Sequence, residues 1–322
     1  MKRIVFLVIL TLIIALTWAS VAYLKRAKNI SINLSEIEKV KEAEAKLFLK
    51  GSWGTSEGQF GMKNEDWVPG PMSLTAGPNN HLYILDQENK RVQRFSENTK
   101  LLNVIKIDNT NYEDIAIDEE GFIYLLDSVS EHLVKKININ GKIIRTYSLA
   151  KSIHPITGLF VKNKQVLVET NHDKLYIIGS TSKTKSSVSQ LKSKTSGRTG
   201  TDFKTEVELT RQGGVEAQIK GHHPLDSISI TGHQKVYSII SVDSDDEENI
   251  YIVLDIAESD KLYNLGKDKL LGLVINNTGV LKSKFYASNS YYTAHFRKFA
   301  LSPNGTVYQM QTKLDGVVVW KW

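Results

Sequence analysis

The hydrophobic and polar positions follow two patterns, and the change between them divides the chain. Residues 4–24 are uncharged and mostly apolar, with Lys2 and Arg3 before them and Lys25, Arg26 and Lys28 after them. A helix of this length spans about 31 Å, the thickness of a bilayer's hydrocarbon core. Trp18 and Tyr23 suit a headgroup interface. A cleaved signal has a shorter apolar core, and this run continues past Ser20-Val21-Ala22. The pattern therefore predicts an uncleaved transmembrane signal-anchor over residues 1–28. A very short tail ahead of a large domain keeps the tail inside and places the domain outside, at the cell membrane. Ser35-Glu36-Ile37-Glu38 reads as a capping box, a hydroxyl followed three residues on by a carboxylate. It predicts a short helical stalk within residues 29–45.

From residue 46 onward short strands alternate with turn residues. Self-similar units recur. Leu82-Tyr83-Ile84-Leu85-Asp86 follows a Gly77-Pro78-Asn79-Asn80 turn, and Ile123-Tyr124-Leu125-Leu126-Asp127 follows Glu119-Glu120-Gly121. Val166-Leu167-Val168, Ile250-Tyr251-Ile252-Val253 and Val307-Tyr308-Gln309-Met310 occupy the same place in later copies. Their centres, residues 83, 124, 167, 251 and 308, are separated by 41, 43, 84 and 57 residues. The longest gap is two repeats, which predicts a hidden copy near Leu209. The last gap is one repeat plus an insertion near residues 258–269. Six copies predict an all-β, six-bladed β-propeller over residues 46–322, preceded by the transmembrane helix and stalk. Gly316 to Trp322 supplies a third strand to the last blade, and residues 45–49 supply its fourth, which closes the ring and removes unpaired edges.

Tyr83-Ile84-Leu85-Asp86 followed by Asn89, Arg91-Val92 and Phe95 resembles the core of an NHL repeat. Gly51-Ser52-Trp53-Gly54 with Gly58-Gln59-Phe60 resembles the loop that opens one. The second blade keeps Asp127, with Ser130 and His132 in the Asn and Arg places, and the later blades match poorly. The resemblance implies a six-bladed propeller used mainly for binding, with Asp86, Asn89 and Arg91 structural.

Composition narrows the chemistry. The chain has no cysteine, which removes disulfides, thiol catalysis and Cys-ligated zinc. A net charge of +6 over 322 residues is no nucleic-acid footprint, and no nucleic-acid partner is expected. Residues 181–200 hold five basic residues and no acids, and read as a flexible basic insertion. Asp243 to Glu248 crowds five acids into six residues, but an EF-hand would need glycine and glutamate where Glu248 and Leu254 stand. It reads as a solvated turn, so calcium is not favoured and no cofactor or metal is expected. His222-His223, with His154 and His295, lacks metal-motif spacing.

Propeller ligands meet the channel mouth, where loops enter the innermost strands. The repeat places Met72 and Ser73, Glu113 and Asp114, Ile156 and Thr157, Ser238 and Ile239, and Arg297 and Lys298 there, with Trp67, Tyr112, His154, His222, His223, Tyr237, Tyr292 and His295 just upstream. This mixture of aromatic, acidic, basic and imidazole groups suits a polar ligand or peptide. No nucleophile elbow, phosphate loop or dinucleotide fingerprint is present. The expected function is binding of a protein or cell-envelope polymer, with no catalytic residue assigned. The alternative is a metal-assisted hydrolase or lyase, lactonase-like, working in the channel.

Overall fold

The apolar runs at the centre of each repeat are apolar at successive positions because both faces of those strands are buried. In a strand, neighbouring side chains point to opposite faces. Leu82 and Ile84 pack with Leu74, Phe48, Tyr308 and Met310, whereas Tyr83 and Leu85 pack with Ile115, Ile123 and Leu125. Tyr124 and Leu126 repeat this against Leu159, Val166 and Val168. Each such side chain contributes about 1.5–3 kcal/mol on burial, so these interfaces are the core of the protein.

The structure is a computed structural model. It describes residues 28–63, 68–162, 164–181, 189–190, 198–199, 205–209, 215–219, 225–231, 236–256 and 269–322. The first strands are β1 (Lys28–Asn33) and β2 (Lys46–Ser52). Blade I is β3 (Ser73–Ala76), β4 (Leu82–Asp86), β5 (Arg91–Phe95) and β6 (Leu101–Lys106). Blade II is β7 (Asp114–Ile117), β8 (Ile123–Asp127), β9 (Leu133–Ile137) and β10 (Ile143–Ser148). Blade III is β11 (Ile156–Lys162), β12 (Gln165–Thr170), β13 (Lys174–Ser180) and β14 (Ser189–Gln190). Next come β15 (Arg198–Thr199), β16 (Thr205–Leu209), β17 (Val215–Ile219) and β18 (Leu225–Thr231). Blade IV is β19 (Val236–Ser244), β20 (Ile250–Ile256), β21 (Lys269–Ile275) and β22 (Leu281–Ser288). Blade V is β23 (Phe299–Leu301), β24 (Val307–Lys313) and β25 (Gly316–Lys321), completed by β2.

The protein is an all-β propeller, and among the described residues it has five four-stranded blades, not the six expected. The five blades are the five repeats whose apolar centres are plain in the sequence. The stretch that the 84-residue gap assigned to a hidden blade forms a different object, a five-stranded sheet ordered β1-β18-β17-β16-β15. Its far edge is covered by β1, which runs parallel to β18. Val207, Ile228 and Ile230 pack on Ile252, Leu254 and Leu273 of blade IV. The two recesses of the channel are lined by β3, β7, β11, β19, β23 and the segments adjoining them. Spacing revealed that a sheet was there but not which way it faces.

The ring closes as the chain ends predict. β2 pairs antiparallel with β25, Lys46 opposite Lys321 and Ser52 opposite Gly316. Phe48 meets Tyr308 edge-to-face, with ring centroids 5.0 Å apart.

The expected stalk helix is corrected. Residues 28–33 are a strand, and the helical part is a 3-10 turn at Leu34–Lys39, capped by the Asn33 side chain accepting from Ser35 N at 2.9 Å. Leu34 and Ile37 are buried against blade IV. Ala43 N then donates to Lys284 O at 2.8 Å, and Lys284 N donates to Lys41 O at 3.0 Å. The segment is a strap that stitches the extra sheet to blades IV and V. The apolar run 4–24, Trp67, His222 and His223 lie outside the described residues, as does most of 181–200. No helix among the described residues is long and apolar enough to cross a membrane.

In blade I, Asp86 accepts from Gly61 N (2.7 Å), Asn89 Nδ2 (3.0 Å) and Arg91 Nε (2.6 Å). Arg91 also donates to the carbonyls of Thr55, Ser56 and Gln59. In blade II, Leu133 stands opposite Asp127 as Arg91 stands opposite Asp86, so His132 does not fill the arginine place.

Candidate functional site

Each first strand begins at one end of the channel, so the residues at or just before its start converge there. A cavity of about 290 Å³ lies at this end. Asp114, Thr157, Ser238, Ile239, Arg297 and Lys298, expected at the mouth, and His295, expected just upstream, line it together with Phe160 and His172. A second, wider recess of about 510 Å³ opens at the other ends of the same strands, near Gly77, Glu119, Lys162 and Pro303. Arg297, Phe160, Asp243 and Phe299 border both. Arg297 therefore stands between the two recesses.

Arg297 is held from two other blades. Its Nε donates to Asp114 Oδ1 at 3.0 Å, and its Nη2 donates to Asp114 Oδ2 and to Leu159 O, both at 2.6 Å. Its guanidinium lies 4.9 Å from the centre of the Phe160 ring. Asp114 is fully buried and also accepts from Leu159 N at 2.8 Å. Met72 contributes its backbone, whose carbonyl accepts from Phe296 N and Arg297 N. Arg297 Nε and Nη2 and both Asp114 oxygens thus have partners, which is what burial of charge requires.

Glu113 turns away from the cavity. Its Oε2 accepts from Ser128 N at 3.1 Å and from the Ser128 hydroxyl. Burial pushes its carboxyl above the usual range, the Ser128 bonds oppose this, and Asp127 and Asp114 reinforce it. Tyr112 is buried between blades I and II, where its hydroxyl donates to Asp108 Oδ1 at 2.6 Å. His154, Tyr237 and Tyr292 are exposed and do not line the cavity.

Two cavity groups have neutral partners. His295 Nδ1 donates to Thr293 O at 2.9 Å, which leaves Nε2 as a bare acceptor, buried without a hydrogen-bond partner. Burial lowers its pKa to about 4, so the ring is neutral. Lys298 Nζ donates to Asn289 Oδ1 at 3.1 Å and lies 4.5 Å from the Tyr291 ring centre.

Sequence reasoning missed Glu169 and His172. Glu169, buried, accepts from Thr157 Oγ1 at 2.9 Å and pairs with His172 Nδ1 at 3.2 Å. His172 reaches the mouth because Asn171 and His172 both have positive φ, 53° and 56°, in the hairpin between β12 and β13. An asparagine between two apolar strands is the usual sign of such a turn, and it was available in the sequence. Among the described residues, no three His, Asp or Glu side chains gather in a way that could hold a metal ion. Asp245 of the acidic turn is engaged locally, accepting from Glu247 N, Asn249 N, Asn249 Nδ2 and the Tyr251 hydroxyl.

No family model matches the chain, and no curated protein sequence does. Among solved structures it is similar to hydrazine synthase from Kuenenia stuttgartiensis, with 14% identity and a TM-score of 0.46 over 80% of each chain. It is also similar to virginiamycin B lyase from Staphylococcus aureus, with 8% identity and a TM-score of 0.45 over 87% of this chain and 100% of that one. A DUF4221 member from Bacteroides vulgatus shows 11% identity and a TM-score of 0.45, covering 87% and 98%. The class, a β-propeller, rests on this chain's own sheet order and channel.

Proposed function

We propose that the protein is a membrane-anchored, extracytoplasmic binding module whose channel mouth receives a protein or cell-envelope polymer. The observation that carries this reading is the plug. The strongest charges at the mouth, Asp114 and Arg297, are spent on each other across the channel and fix its walls. Such a site offers a rigid recess with a mixed polar and aromatic lining, and recognition then comes from shape and fixed hydrogen-bonding groups. The apolar run 4–24 supports the anchor, and the NHL-like residues of blade I support a binding role.

The test uses the full chain in detergent as bait for envelope extracts. The reading expects a partner that is lost when the cavity is filled by Ile239→Trp. Capture that survives this change, with turnover of a substrate and a bound divalent ion that Glu113→Ala and Asp114→Ala remove, would replace it with a channel hydrolase or lyase. Carbonate extraction and protease protection in sealed vesicles test the anchor and its orientation.

A further inference from the structure

Arg297 and Lys298 are adjacent, line the same cavity, and are treated oppositely by the fold. Arg297 has a carboxylate and a carbonyl. Lys298 has a neutral amide and an aromatic ring, and among the described residues no carboxylate stands within 4.0 Å of its ammonium. Asp255 acts on it from farther off, and its Oδ2 accepts from Asn289 Nδ2 at 3.4 Å. A cation partly withdrawn from water, whose contacts among the described residues are neutral, is held by less than the direct charge pairing that Arg297 has. Burial accordingly lowers the Lys298 pKa, with Asp255 opposing. Beside it the cavity presents Phe160, Ile239 and Phe299, an apolar wall, and Thr157, a hydroxyl.

We propose that the mouth cavity is a carboxylate-binding site, in which Lys298 meets the carboxylate and Phe160, Ile239 and Phe299 take the ligand's apolar body. A volume of about 290 Å³ suits a small organic acid or the last residue of a chain. This deepens the binding reading, on which it rests, by naming the group recognised. A charge-assisted bond to this ammonium supplies the affinity, and removal of the ligand's charge removes it.

The experiment is titration calorimetry on the full chain in detergent with N-acetylphenylalanine, its amide, and the acetylated tripeptide Gly-Gly-Phe as free acid. The acid binds and the amide binds about tenfold more weakly or worse, a difference set by one charged hydrogen bond. Lys298→Met abolishes that preference, and Lys298→Arg keeps it. A tripeptide that binds more tightly than the single residue assigns the site to chain ends, and the reverse assigns it to free acids. Equal binding of acid and amide by the unaltered protein, or no binding by either, overturns the proposal without any variant. A preference for the acid that survives in Lys298→Met overturns it too. If envelope capture finds a partner that Lys298→Met still binds, this inference falls while the binding reading stands. If acid preference holds but no partner is captured, the reverse is true.

Discussion

Asp114 and Arg297 lie 183 residues apart and meet across the channel through two hydrogen bonds, 3.0 and 2.6 Å long. The aspartate is fully buried and the arginine side chain is 20% exposed, so the pair is sheltered on both sides. Asp114→Ala leaves a sheltered guanidinium without its counter-charge and is expected to cost about 3–5 kcal/mol. Asp114→Leu with Arg297→Met costs less than either single change, because the charges are removed together. Urea unfolding of the four proteins gives the cycle, and additive single effects would show that the two residues are not coupled.

Ile37 separates a strap from a stalk. It is 2% exposed and packs in the cluster that joins the extra sheet to blade IV. Ile37→Ala should lower stability by about 2–5 kcal/mol, the usual range for a buried isoleucine. A free stalk would leave the urea midpoint unchanged.

Gly272 sits under the Phe285 ring. A Cβ there would stand 2.0 Å from the ring's Cζ, and the ring is itself backed by Trp322 at 4.9 Å. Gly272→Ala is expected to destabilise by about 1–3 kcal/mol through overpacking. Adding Phe285→Leu recovers part of that loss, and thermal unfolding of the single and double variants measures it.

His295 makes stability fall in mild acid. Its pKa is lowered to about 4 in the fold, chiefly by burial, against 6.5 for the ordinary group. The unfolded chain therefore takes up a proton that the folded one refuses. The stabilisation is complete above pH 6.5 and is lost as pH falls toward 4, up to about 3 kcal/mol. His295→Gln should flatten the stability profile across that window, and an unchanged profile would count against the neutral ring.

Glu113 acts in the opposite sense. Burial raises its carboxyl pKa, so its contribution is present below the ordinary value of 4.5 and is lost as pH rises through the folded value. Glu113→Gln keeps an acceptor for Ser128 and removes the charge. It should raise the urea midpoint at pH 7 relative to the parent, with the gap closing below pH 4.5.

The amino-acid order determined what depends on neighbours along the chain. Alternation with both faces apolar marked β4, β8, β12, β20 and β24, and turn residues marked the hairpins between them. The mouth was legible for Asp114, Thr157, Ser238, Ile239, Arg297, Lys298 and, just upstream, His295, because strand starts in a repeat share one end. Tertiary structure decided what depends on packing between sheets. Among the described residues it set five four-stranded blades and a separate five-stranded sheet, since spacing counts strands but strand pairing decides which sheet they join. It turned Glu113 outward to Ser128 while Asp114, its neighbour, turned inward, because adjacent side chains near a strand start point opposite ways. It brought His172 to Thr157 through a left-handed turn, and set Phe285 on Gly272, contacts between strands that no local pattern encodes.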